Sequence, residues 1–416
     1  MRFGYIPVSP AMALDEESVH RIIAAYAPKL KGLGGERWTE EQLADPAPLV
    51  YFLVTGGTES EVLRLRRERS KSTSDEPVFL LAHPGHNSLP ASLEVLARLR
   101  QDGTPGRIFF LPESDSTEGY RQVADAVHDL GVRRALQEAR IGCVGRPSDW
   151  LVASTPAPDL VRTVWGPEVV PIDLRAVEQR MQAVSQEAVA SSVRSLFDPV
   201  ADSKEPTRVD LEEAVRVYLG LKEVVENCKL QALTVRCFDL VLDMQTTGCF
   251  ALAQLNDEGI IAGCEGDLVS TVGLLWAHEL VGGIPWMANP ARVDESRNTL
   301  WLAHCTVPRT IVEDYRLRSH FESGLGVGIQ GGLPAGPVTL LRIGGRRMDH
   351  LWLAEGEIIQ ACYAENLCRT QAEIRLRGDC DVRDLLCAPL GNHLVMVSGH
   401  HMTRLQTWHE TMVAVA

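Results

Sequence analysis

Val50-Tyr51-Phe52-Leu53-Val54-Thr55-Gly56-Gly57 is a short apolar, β-branched run that stops on two glycines. Residues 59–69 then read as a helix, and the pattern repeats. Residues 77–82 (PVFLLA) read as a strand, and 88–100 as a helix with Leu89, Leu93, Leu96 and Leu99 at helical spacing. Residues 107–111 read as a third strand and 117–138 as a further helix. Strands separated by helices pair in parallel, which predicts a doubly wound, Rossmann-like α/β domain over residues 1–140.

Ile141-Gly142-Cys143-Val144-Gly145 opens a second α/β domain over residues 141–282. Its helices are expected at about 170–194 and 209–228, joined by a polar surface connection with two prolines at 195–208. Strands are expected at 232–235 and 238–242, and a helix apolar on one side at 266–281. Beyond residue 283 the helical period gives way to short β-type runs at 338–343, 350–353, 357–363, 372–376 and 393–397. Gly-rich turns between them predict an antiparallel, barrel-like C-terminal domain over 283–416.

Composition narrows the function. A chain of 416 residues exceeds the ~250–300 at which a single core stops growing. A hydrophobic share of 45% with 23% charged residues is that of a globular chain. The net charge of -14 and the lack of a dense basic run argue against nucleic acid as a partner; the most basic stretch, 63–69 (LRLRRER), reads as a solvated helix face. No run approaches the ~20 apolar residues of a membrane span, and the N-terminus has no apolar leader core. Ten cysteines without a CxxC pair read as buried free thiols, and a cytoplasmic location is expected.

Several stretches offer chemistry. Thr55-Gly-Gly-Thr-Glu59 and His83-Pro-Gly-His-Asn-Ser88 follow strands, where open α/β sheets form ligand crevices. A bare tight turn also uses these glycines, and Ser88 suits an N-cap. In Gly263-Cys-Glu-Gly-Asp267, Asp267 fits a helix start, while Glu265 stands between glycines that leave room for a ligand. Trp286, Asn289, His304, Asn392, His393, His400 and His401 add amide, imidazole and aromatic groups downstream, several of them possible ligands for a divalent cation.

Together these motifs resemble the L-fucose isomerase and L-arabinose isomerase superfamily, in its shorter, fucose-isomerase-like branch. The resemblance is carried by Thr55–Glu59, Asn87-Ser-Leu-Pro-Ala91, Gly145-Arg-Pro-Ser-Asp-Trp150 and Thr234-Val-Arg-Cys-Phe-Asp239 in the first half. Cys264-Glu-Gly-Asp267, Ala288-Asn-Pro290, His304-Cys-Thr306, Cys368-Arg-Thr-Gln371 and Gly391-Asn-His393 carry it in the second. It implies an aldose–ketose isomerase using a divalent metal, usually manganese, and an enediolate at C1 and C2. It implies Glu265 and His393 as metal ligands and His304 as an additional one. The second acid of the pattern falls at Asn289, 24 residues after Glu265. An Asn ligates through its carbonyl oxygen but brings no charge and cannot act as a base. Glu265 is therefore the candidate for both ligand and base, with Asp267 or a water as the second proton carrier. Asn392, Trp286, His400 and His401 are expected near the substrate, and Arg342 or Arg369 as possible pocket cations. The resemblance further implies a trimer or hexamer closing its active site between subunits. An anionic sugar, such as a sulfonated hexose, and a non-catalytic sugar-binding relative are the alternatives.

Overall fold

The computed structural model describes residues 2–9, 16–73, 76–197 and 202–413. The chain divides into two compact units, residues 1–134 with 407–416, and residues 135–406.

The first unit is a parallel sheet of order β2-β1-β3-β4-β5, from β1 (Phe3–Val8), β2 (Gly35–Arg37), β3 (Leu49–Leu53), β4 (Val78–Ala82) and β5 (Gly106–Phe110). Helices α1 (Glu16–Gly32), α2 (Glu59–Arg69), α3 (Ser88–Gln101) and α4 (Thr117–Glu138) alternate with the strands, and the division at Arg134 falls within the last turns of α4. The three expected strands are present, and β1, α1 and β2 precede them. Strands β3 and β4 are buried at every residue, as a sheet covered on both faces requires.

Three local expectations are corrected. The basic stretch 63–69 is not a solvated face: Arg66 and Arg69 are buried. Arg69 pairs with Glu76 at 2.8 Å and donates to the carbonyls of Leu43 and Ala47, so its charge ties α2 to neighbouring loops. Leu93 is 57% exposed, because the buried stripe of α3 runs through Ala91, Val95, Leu96 and Leu99. Ser88 is the first helical residue rather than the cap. Its hydroxyl turns to the sheet, donating to the Leu53 carbonyl and accepting from the His83 N–H.

The second unit begins with a parallel sheet of order β7-β6-β8-β9, from β6 (Arg140–Val144), β7 (Glu168–Ile172), β8 (Ala232–Val235) and β9 (Ile261–Cys264). Its helices are α5 (Pro158–Val164), α6 (Leu174–Ala183), α7 (Gln186–Phe197), α8 (Arg208–Cys228), α9 (Cys237–Met244), α10 (Cys249–Asp257) and α11 (Leu268–Val281). The single helix expected at 170–194 is a strand and two helices. The strand expected at 238–242 is helix α9, which buries Cys237 and Leu240 and leaves Leu242 73% exposed. A short apolar run does not by itself separate strand from helix. Of the expected connection at 195–208, residues 198–201 lie outside the described residues.

A closed antiparallel barrel of order β10-β11-β16-β15-β14-β17 follows in the same unit. It consists of β10 (Trp286–Asp294), β11 (Thr299–His304), β14 (Gly336–Gly344), β15 (His350–Cys362), β16 (Thr370–Leu376) and β17 (Leu394–Ser398). Strands β12 (Asp314–Arg318) and β13 (Gly328–Gly332) form a separate hairpin. The runs expected at 350–353 and 357–363 are one long strand, β15. Helix α12 (Val382–Cys387) precedes β17, and α13 (Met402–Met412) follows it. Trp286, Leu302, Leu340, Ile374 and Met396 are among the residues that fill the barrel core. Helix α11 was expected to be apolar on one side. It is buried nearly all round, packed on β8 and β9 and on barrel strands β10, β14 and β17.

Candidate metal centre

The centre forms where β9 meets the barrel. Strand β9 ends at Cys264, and Glu265 follows in the left-handed region at φ 62. A non-glycine residue there is costly, and such strain gathers at functional sites. The turn is over-determined: the Glu265 carbonyl accepts from Ser148 N–H at 2.9 Å, and Gly266 N–H donates to Val235 at 3.0 Å. Gly266 has φ 71, and a Cβ there would stand 2.7 Å from Pro147 Cα. Asp267 then caps α11, accepting from Ser270 N–H at 2.8 Å.

Two histidines come from the barrel. His304 is the last residue of β11, and His393 directly precedes β17. One donor atom each from Glu265, His304 and His393 lies within 4.8 Å of the others. His393 Nε2 stands 3.6 Å from Glu265 Oε1, and the two imidazoles meet edge to face at 5.7 Å.

Hydrogen bonds orient the set. His393 Nδ1 is 2.9 Å from Asp267 Oδ2, so Nδ1 carries the donated proton and Nε2 faces Glu265. Nε2 is buried and has no hydrogen-bond partner. His304 Nδ1 contacts the Thr306 hydroxyl at 2.8 Å. Glu265 Oε2 accepts the indole N–H of Trp150 at 2.6 Å. Asp267 is fully buried and pairs with Arg342 at 3.2 Å, itself 1% exposed.

Electrostatics follow the geometry. Burial would raise the Glu265 carboxyl, but His393 and the Trp150 N–H outweigh it and hold the group below its usual range. Burial likewise opposes ionisation of Asp267, and Arg342 with His393 overcomes it. Burial would also neutralise His393, yet Asp267 and Glu265 push it up to about 9. Burial and the neighbouring His393 bring His304 down to about 4. His393 is thus a buried imidazolium between two carboxylates, its Nε2 3.6 Å from Glu265 Oε1 without a hydrogen bond. The donor set of one carboxylate and two imidazoles suits a borderline cation such as Mn²⁺, Fe²⁺ or Zn²⁺. Asp267 lies outside that donor set, its carboxylate bound to the His393 ring.

A cavity of about 160 Å³ is lined by Glu265 and His304 of the set, together with Asn289, His320, Phe238 and Glu322. Five of the ten cysteines (Cys237, Cys249, Cys264, Cys305 and Cys368) complete the wall. All ten are free thiols. Cys237 and Cys264 are 3.0 Å apart, and hydrogen bonds from Cys249 and Cys368 hold the Cys305 thiol well below its usual range.

Other residues named from sequence lie elsewhere. Asp267 does not line the cavity; every carboxylate contact it makes is to His393, Arg342 or Ser270. Trp286 is buried in the barrel core opposite Met396. Asn392 is exposed, one residue before His393. His400 and His401 lie past the other end of β17, where His401 Nε2 meets the Ser398 carbonyl and His400 meets Glu355. Arg342 and Arg369 are buried in ion pairs, and among the described residues no Lys or Arg lines the cavity. Trp150, Phe238, His320, Glu322 and the thiol wall were not singled out as site residues. Trp150, Cys237, Phe238, Cys264, Cys305 and Cys368 belong to the short motifs that carry the resemblance, whereas His320, Glu322 and Cys249 belong to none of them.

The fold and site define an α/β protein with a closed barrel and a carboxylate–imidazole cluster at the sheet–barrel junction. No protein-family model matches the chain. The chain is 23% identical over 224 residues to a sulfoquinovose isomerase of Priestia aryabhattai, covering 52% of this chain and 50% of that protein. It is 22% identical over 265 residues to a sulfoquinovose isomerase of Alkalicoccus urumqiensis, covering 62% and 59%. A third such enzyme, from Clostridium sp., matches at 22% over 240 residues, 56% of this chain and 52% of that one. The matched region thus spans between half and three fifths of these relatives. A solved structure of a conserved Enterococcus faecalis protein of unknown function aligns over 98% of the chain at 12% identity, with a TM-score of 0.15 that carries no argument.

Proposed function

We propose that the protein is a metal-dependent aldose–ketose isomerase, and that its substrate is a sulfonated hexose. The convergence of donor atoms from Glu265, His304 and His393 within 4.8 Å, at a cavity lined by Glu265 and His304, supports the metal-dependent isomerase reading. The relatives that act on sulfoquinovose favour the sulfonated substrate over a neutral one.

Glu265, His304 and His393 would hold the cation, with the Asn289 carbonyl oxygen at the same cavity. When bound, a divalent cation supplies Lewis-acid polarisation of the oxygens at C1 and C2. The chain's residues do the rest. Asp267 and Arg342 fix the tautomer and ring of His393. Trp150 holds one oxygen of Glu265 and leaves the other toward His393. Phe238, Phe321, Leu367 and the thiols limit water at the reacting carbons.

The test is elemental analysis of protein purified in excess manganese, followed by incubation with sulfoquinovose, fucose and arabinose. The expected result is bound manganese and a ketose from the sulfonated sugar in preference to the others. Metal-free protein with no ketose from any sugar refutes it. Asn289→Asp sharpens the assignment, because an added carboxylate among the ligands should tighten manganese binding. Oligomeric state is measured by light scattering, with a trimer or hexamer expected.

A further inference from the structure

An isomerase working through proton transfer needs a base that can give its proton back. Glu265 is poorly placed for that task. One of its oxygens accepts the Trp150 N–H, and the other faces His393. With both oxygens engaged, neither is free to approach a sugar C–H, and a base must come within hydrogen-bond reach of the proton it takes. Asp267 is sealed from the cavity, and Asn289 has no carboxylate.

Among the described residues the cavity lining has one other acidic residue, Glu322. It is exposed, on the turn at 321–323 between β12 and β13, and its carboxylate enters no hydrogen bond or ion pair among the described residues. The frame beneath it is fixed. His320 N–H donates to the Leu325 carbonyl at 2.9 Å, and Gly324 N–H donates to the His320 carbonyl at 2.8 Å. His320 Nδ1 and the Ser323 hydroxyl are 3.1 Å apart, and the Phe238 ring meets the His320 ring at 5.8 Å. Gly326, at φ 59, seats the turn so closely that a Cβ there would fall 2.8 Å from Thr247 N. A solvated carboxylate with no hydrogen-bond partner among the described residues therefore hangs from an anchored turn at the cavity lined by Glu265 and His304.

We propose that Glu322 is the catalytic base and acid of the isomerisation, a role that rests on the isomerase reading above. Its carboxylate takes the C2 hydrogen of the open-chain aldose as a proton. The C2–H electron pair becomes the C1–C2 double bond, and the carbonyl pair moves onto O1. Glu322 then returns the proton to C1, while the O2–H proton passes to O1 and the C2–O2 double bond forms. Atoms and electrons balance without a co-reactant. This gives the site two carboxylates with separate tasks, Glu265 as ligand and Glu322 as proton carrier, in place of an acid at position 289.

The experiment follows sugar and manganese-loaded full-length protein in deuterated water by proton NMR, reading ketose formation and deuterium at C1. Glu322→Gln should lower both by roughly 10²–10⁴-fold, the usual worth of positioned acid–base help. Calorimetric manganese affinity and the thermal midpoint should stay at wild-type values, since the residue is exposed and unpaired. Glu322→Asp should keep part of the exchange. Exchange at the wild-type rate in Glu322→Gln overturns the proposal and points to His320 or a thiol of the wall. Wild-type turnover with the C2 hydrogen fully retained also overturns it, as does loss of manganese in Glu322→Gln, which would make Glu322 a ligand. If the manganese-loaded wild type converts no sugar, the isomerase reading falls and this one with it.

Discussion

Two sheets in this molecule end in similar turns and use them differently. In the first unit, β3 and β4 run out into Thr55–Glu59 and His83–Ser88; in the second, β9 runs out into Glu265–Asp267. In the first, the polar groups satisfy one another. His83 donates from Nε2 to the Val54 carbonyl at 2.9 Å and accepts at Nδ1 from Gly85 N–H at 3.2 Å. The Ser88 hydroxyl bridges β3 and β4, and the Thr58 hydroxyl bonds the Thr55 carbonyl at 2.8 Å. In the second, Glu265 and His304 line a cavity, and the buried His393 Nε2 beside them makes no hydrogen bond, 3.6 Å from Glu265 Oε1. Buried polar groups are normally paired, and here an unpaired imidazole nitrogen lies within 4.8 Å of a carboxylate oxygen and a second imidazole nitrogen. Motif and position alike suggested chemistry at both ends; satisfaction of hydrogen bonds separates them.

The largest effect that would break this contrast is at Glu265. Glu265→Gln removes an anionic ligand, and isomerisation should fall by at least about 10⁴-fold, since ligand and neighbouring base act as a unit. His83→Gln, the matching change in the first unit, should leave manganese content and turnover unchanged. Metal bound at His83 and lost in that variant would erase the distinction.

Next in size is Asp267→Asn. It leaves Arg342 buried without its countercharge, which typically costs about 3–5 kcal/mol. It also frees the His393 ring, and loss of such an outer partner typically weakens metal binding 10–100-fold. Urea unfolding and manganese titration read the two effects, and wild-type values in both would mean the Asp267 pair does not support the centre.

A smaller effect is the pH dependence of metal uptake. His393 holds its proton up to about 9, against about 6.5 for an ordinary imidazole. In the metal-free protein its folded value is raised, so its contribution to stability is complete below about pH 6.5 and is lost as pH rises through about 9. Metal must displace that proton, so affinity should rise about tenfold per pH unit across the same window. Calorimetry in buffers of different ionisation enthalpy should count one proton released from His393; none released would contradict the assignment.

The smallest effect lies in the first sheet. Ser88→Ala leaves the His83 N–H without its acceptor, and the loss should be about 1–3 kcal/mol by denaturant unfolding. Manganese affinity should not change, since the bridge serves only the sheet.

What could be read from residues alone was whatever local periodicity and short motifs encode. Apolar strands between helices specified the parallel sheets, and Gly-punctuated β runs specified the barrel, because burial on both faces or on one face writes a direct pattern into the chain. The glycines around Glu265, and His304 and His393 at their strand ends, could be singled out for the same reason. The tertiary structure decided which polar groups meet. Asp267 became the partner of His393 only because a helix start and a barrel strand, 126 residues apart, close on each other. Trp150 and Glu265 are separated by 115 residues, and Glu322 reaches the same cavity from a hairpin turn with no motif of its own. His400 and His401, close to His393 in sequence, are carried away from it by the extended length of β17. Sequence proximity governs local conformation, but a binding site depends on distance and on which hydrogen bonds are already taken, and those are settled only when the sheet and the barrel have packed.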